Sequence, residues 1–102
     1  MTDQPAGALR VVATIPTDPA AADAVRAGLA DLVAATRAES GCLDYEAFES
    51  TAVPGTWVTI ETWASQADLD AHMTTPHIAT AFETLGPVLT GEVAIHPLTP
   101  LA

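Results

Sequence analysis

The chain gathers imidazole and indole into one short span. Glu61-Thr62-Trp63 is followed by Ser65, by Leu69-Asp70-Ala71-His72-Met73, by Thr74-Thr75-Pro76-His77 and by Phe82. Imidazole exchanges protons near neutral pH and is also a common metal ligand. Indole brings a large apolar face and one N–H donor. A chemical site uses that combination more readily than a purely structural segment does. Spacing weighs against a metal. His72 and His77 stand five residues apart, about 500° of turn on an unbroken helix, which leaves them on different faces. Pro76 breaks such a helix, so the two rings can still converge, but no third clustered ligand is evident. No metal and no cofactor is expected.

The elements that must position these residues follow from pattern. Leu9 to Ile15 is β-branched and nearly continuous in apolar residues, which predicts a strand buried on both faces. Pro16 ends it. Asp18 suits an N-cap and Pro19 the first helical position. Ala22, Val25, Leu29, Leu32, Val33 and Thr36 then recur at steps of three and four, the stripe of an amphipathic helix. Gly41 suits a left-handed C-terminal cap. Cys42 to Glu49 and Thr56 to Trp63 read as strands joined through the Pro54-Gly55 turn. On the second of these, Trp57, Thr59, Glu61 and Trp63 share one face, and Val58, Ile60 and Thr62 the other. Ser65, with Asp68 three residues on, caps a short helix. Thr75 caps another helical stretch that begins at Pro76. Gly91 to Leu98 returns as a final strand. The order is β-α-β-β-α-β, the ferredoxin-like arrangement of an α+β domain with an antiparallel sheet. Neither sheet face is uniformly polar, so helices should cover one and a second subunit the other.

Composition bounds the partners. The 102 residues amount to one domain, with 1–7 as a flexible tail and 8–102 as the folded unit. Three Arg stand against 13 acidic residues, with no Lys, for a formal net charge of −10. A surface so poor in cations does not suit nucleic acid or an anionic membrane. No stretch is long and apolar enough for a membrane span, and no secretory signal is visible, so a cytoplasmic location is expected. Cys42 is the only cysteine, so no internal disulfide can form.

The motifs resemble the antibiotic biosynthesis monooxygenase family. The matching elements are Glu61-x-Trp63, Leu69-x-x-His72, the strand entry Glu39-Ser40-Gly41-Cys42-Leu43-x-Tyr45 and the turn Pro54-x-x-Trp57. They span roughly residues 8 to 98. The resemblance implies a homodimer, a dimeric α+β barrel with the sheets face to face. It also implies a monooxygenase that works without a cofactor on a phenolic or hydroquinone-type aromatic substrate and O2. Such an enzyme must deprotonate the phenol, hold the anion beside O2 and keep water out. His72 is then the catalytic base. Trp63, Tyr45, Phe48, Trp57, Met73, His77 and Phe82 are the candidate pocket residues, with the Trp63 N–H available to a substrate oxygen.

Plainer roles compete. Either tryptophan alone serves burial well. His77, at the second position of a helical turn, suits ordering of the loop. Glu61, at a strand end, suits an ion pair with Arg or a cap. Cys42 suits an inert buried thiol and His96 the surface. Relatives of other function sharpen the choice. Haem-degrading members carry an axial His where this chain has Phe82, which cannot ligate iron. Members that isomerise a phosphorylated, sugar-like signal metabolite share a run like His72-Met73-Thr74-Thr75-Pro76-His77, yet basic residues for the phosphate are scarce here. A non-catalytic dimer that binds an aromatic ligand is the third possibility.

Overall fold

The computed structural model describes residues 7–102. Of the tail expected over 1–7, all but Gly7 lies outside the described residues. Strand β1 (Leu9–Pro16) leads through a short 3-10 turn (Pro19–Ala21) into helix α1 (Ala22–Arg37). Strands β2 (Cys42–Glu49) and β3 (Thr56–Trp63) form the hairpin. Helices α2 (Gln66–His72) and α3 (Pro76–Leu85) follow, then a second 3-10 turn (Gly86–Val88) and strand β4 (Ala94–Leu98). The order is ferredoxin-like, with the second helix broken in two at Pro76.

Local chemistry sets these boundaries. Asp18 accepts the Ala20 N–H at 3.0 Å. Ser65 accepts the Asp68 N–H at 3.2 Å, and Thr75 accepts the Ile78 N–H at 3.4 Å. Each such cap is worth about 1 kcal/mol. Gly55 takes φ of +86° in the hairpin turn, where a Cβ would meet the Thr17 carbonyl oxygen at 2.2 Å. Gly41 is not the left-handed cap its position suggests, since among the described residues only Gly7 and Gly55 have positive φ. A Cβ on Gly41 would meet Asp68 Cγ at 2.2 Å, so glycine is needed there for close approach of α2.

The sheet runs β2-β3-β1-β4, with every pairing antiparallel. The α+β fold and the ferredoxin-like order are as expected, but the barrel is not. β2 and β4 stand at opposite edges and do not pair, so the sheet is open. Four strands are too few to curl around their own side chains, and helices fill the concave side instead. Val25, Leu29 and Leu32 of α1 and Ile78, Ala81 and Leu85 of α3 cluster with Ile15 and Trp57 of the sheet. A second cluster joins Val11, Tyr45 and Trp63 to Leu69 of α2. β1 is buried on one face only. Val11, Ala13 and Ile15 point inward, while Val12 and Thr14 are half-buried on the uncovered side. Among the described residues no helix is long and apolar enough to cross a membrane.

Candidate active site

Between the inner face of the sheet and the three helices lies a cleft of ≈ 490 Å³, counting its open mouth. Its walls are mostly apolar, with Ile15, Leu32, Leu69, Ile78 and Leu85 among them. The polar groups converge on one end: Tyr45, Thr59 and Glu61 from the sheet and His72 from α2. Strand alternation puts Thr59 and Glu61 on the inner face of β3, and Tyr45 pairs with Glu61 across β2 and β3. No arginine lines the cleft among the described residues.

His72 closes α2 and is 2% exposed. Its Nδ1 lies 2.6 Å from Oε2 of Glu39, in the segment between α1 and β2. A carboxylate only accepts, so Nδ1 carries the proton. A neutral His72 then has its lone pair on Nε2, which has no hydrogen-bond partner among the described residues. Trp63 is fully buried with its ring 4.6 Å from that of His72, and Tyr45 approaches the same imidazole at 5.7 Å. His77, at the start of α3, sends Nε2 to the same Glu39 oxygen at 2.7 Å. The Pro76 break makes this meeting possible. Thr75 Oγ1 donates to the His72 carbonyl at 2.7 Å, tying the end of α2 to the start of α3.

Glu61 is 4% exposed and has no cationic partner among the described residues. Two hydrogen bonds hold its carboxylate: Thr59 Oγ1 donates at 2.6 Å and the Trp63 indole N–H at 2.8 Å. They offset part of the cost of burying the charge. Burial first, and then the Glu61 charge, push the Tyr45 hydroxyl well above its ordinary pKa, while Thr59 pulls the other way. Tyr45 is therefore a neutral O–H at any physiological pH. Burial, followed by Glu39 and Glu61, also raises the Cys42 thiol, which makes it a poor nucleophile.

Of the pocket residues expected from sequence, Tyr45, His72, Met73 and Phe82 line the cleft. Phe82 stands at the mouth, 41% exposed. Trp63 lies behind His72, and its N–H is already given to Glu61 rather than left for a substrate. His77 sits across Glu39 from the cleft. Trp57 packs under α1, where the Arg26 guanidinium lies 5.5 Å from its ring centroid. Phe48 is on the outer face of the sheet, 45% exposed. His96 is exposed on β4. The unforeseen participant is Glu39. It lies 33 residues from His72 and 38 from His77, so no local spacing announces it. Its one signal was its place in the strand-entry motif. The fold thus supplies the third donor that the sequence did not reveal: ligand atoms of Glu39, His72 and His77 all lie within 4.8 Å of one another.

Known proteins are similar to this chain in sequence and fold. The sequence model of the antibiotic biosynthesis monooxygenase family matches residues 8–84. Rv0793 of Mycobacterium tuberculosis is 38% identical over 91 residues, 89% of each chain. Its solved structure aligns with a TM-score of 0.84 at 35% identity, covering 94% of this chain and 97% of that one. A Caulobacter crescentus CB15 structure under the same family name is 31% identical, with a TM-score of 0.86 over 94% of this chain and 92% of its own.

Proposed function

We propose that this chain, which belongs to the antibiotic biosynthesis monooxygenase family, oxidises a small phenolic or hydroquinone-type aromatic with O2 in the cleft beside His72. The observation that carries the reading is the state of the His72 ring. Nδ1 is anchored on Glu39 at 2.6 Å, and the ring lines an apolar cleft with Nε2 unbonded. That is the geometry of a general base whose tautomer is fixed by a carboxylate.

Nε2 of His72 takes the phenol proton, and the Glu39 carboxylate stabilises the imidazolium that results. The Glu61 charge disfavours a second anion nearby, so the phenolate needs donors. Protonated His72 supplies the charged one. The apolar walls limit water around the electron-rich ring and O2. One oxygen atom of O2 enters the ring at a carbon that bears hydrogen, opposite the phenol oxygen in a simple phenol and beside it in a hydroquinone. The other leaves as water, with the phenol proton and the displaced ring hydrogen. All the electrons come from the substrate, so the scheme requires no cofactor.

We also infer a homodimer formed through the uncovered sheet face. Val12, Thr14, Val58 and Ile60 are half-buried there, and Phe48 and Leu98 are exposed at 45% and 42%. Leaving such a patch in water is unfavourable.

The test is O2 consumption with a panel of hydroquinones and phenols, wild type against His72→Gln. General-base catalysis is commonly worth about 10² to 10⁴ in rate, and the variant should lose that much. O2 uptake by the folded variant equal to wild type removes His72 as base. No turnover of any phenol by the wild type removes the reaction.

A further inference from the structure

We propose that Glu39, His72 and His77 form a binding site for one divalent transition-metal ion of the Zn2+ type, and that its occupancy silences the cleft. Three separate elements bring the donors together: the segment after α1, the end of α2 and the start of α3. Their ligand atoms lie within 4.8 Å of one another. Two imidazole nitrogens and one carboxylate oxygen are the donor set of catalytic-type zinc sites, in which a water completes the tetrahedron. The same set is too nitrogen-rich for Mg2+ or Ca2+.

At present protons do the work that the ion would do. Both imidazoles donate to the single oxygen Oε2, at 2.6 and 2.7 Å. A metal with bonds of about 2.0–2.2 Å replaces those two shared protons, and the three donors spread by a fraction of an ångström to accept it. The way in is from solvent rather than through the cleft, because the His77 and Glu39 side chains are 24% and 17% exposed while that of His72 is 2% exposed. The net charge of −10 draws cations toward the protein.

Silencing follows from the imidazole itself. A neutral ring bound to metal through Nδ1 must take the other tautomer, its one proton moved from Nδ1 to Nε2. The nitrogen not held by Glu39 then changes from acceptor to donor and cannot take a phenol proton. This part rests on the proposed function; the binding does not.

Equilibrium dialysis of the intact chain against Zn2+, with elemental analysis, reads the site without any substrate. Co2+ substitution adds a visible tetrahedral ligand-field spectrum. The expected result is one ion per chain at micromolar metal, weakened at least about 10-fold in His77→Gln and in Glu39→Gln and unchanged in the control His96→Gln, on the opposite face of the sheet. His77 is partly exposed, so its variant keeps the fold, which circular dichroism verifies. No binding at micromolar Zn2+, or equal binding by His77→Gln and wild type, overturns the site. Zinc binding by a chain that oxidises no phenol leaves the site standing and removes only the silencing. Turnover that persists in the zinc-loaded chain also removes the silencing, leaving the binding intact.

Discussion

The Glu39 carboxylate and Nδ1 of His72 meet at 2.6 Å across 33 residues of sequence. In the proposed reaction Glu39 acts through His72, which makes it a positioning residue. Glu39→Gln keeps an acceptor for the Nδ1 proton but removes the charge that stabilises the imidazolium. Its kcat should fall by about 10- to 100-fold with KM little changed. A residue that only held the loop would lower thermal stability and leave kcat intact. Steady-state O2 uptake across substrate concentration separates the two.

Gly41→Ala tests the approach of α2 to the strand entry. The added Cβ would overlap the Asp68 side chain, whose own backbone N–H is the one capped by Ser65. Overpacking of this kind costs about 1–3 kcal/mol, read as a lower midpoint in urea. A midpoint equal to that of wild type would mean that α2 shifts freely, which would also unfix His72.

Tyr45 is the only tyrosine, so tyrosinate absorbance reports on it alone. Its folded pKa is raised, first by burial and then by Glu61. Folding therefore favours the protonated form. That contribution is fully present below the unfolded value of about 10 and is lost as pH rises above it. Tyrosinate should appear only together with loss of the near-ultraviolet circular dichroism. A reversible titration near pH 10 in the folded protein would place Tyr45 in contact with solvent.

The homodimer is checked by light scattering at micromolar concentration. Wild type should have twice the chain mass, and Phe48→Asp combined with Ile60→Asp should have the mass of one chain with its helical signal kept. A wild-type monomer would leave the outer sheet face without a cover and remove the dimer.

Short-range chemistry was the legible part of this fold. Asp18, Ser65 and Thr75 cap as their side chains dictate, and Pro54-Gly55 turns the hairpin. Alternation along β3 put Thr59, Glu61 and Trp63 on one face, which is the face the helices cover. The rest depended on distances that a sequence does not carry. Glu39 reaches His72 and His77 only because α1 ends near the Pro76 break. Glu61 at a strand end suggested an arginine partner, yet its hydrogen bonds come from Thr59 and Trp63 of its own strand. Gly41 read as a left-handed cap because what excludes a side chain there, Asp68, lies 27 positions away. Trp57 and Trp63 share a face, but six residues of strand separate them by about 20 Å, enough to place one under α1 and the other behind His72. The closed barrel was implied by resemblance rather than by any residue, and the open edges at β2 and β4 correct it.

The placement of the two indoles gives the protein a pair of optical probes. Trp63 touches the imidazole of His72, while Trp57 lies beneath Arg26 in the other core cluster. A protonation, an ion or a ligand at His72 alters the emission of the first and leaves the second as an internal reference. With Trp57→Phe the remaining signal belongs to the site alone, so occupancy can be followed in the unlabelled chain, in real time, before any substrate is known.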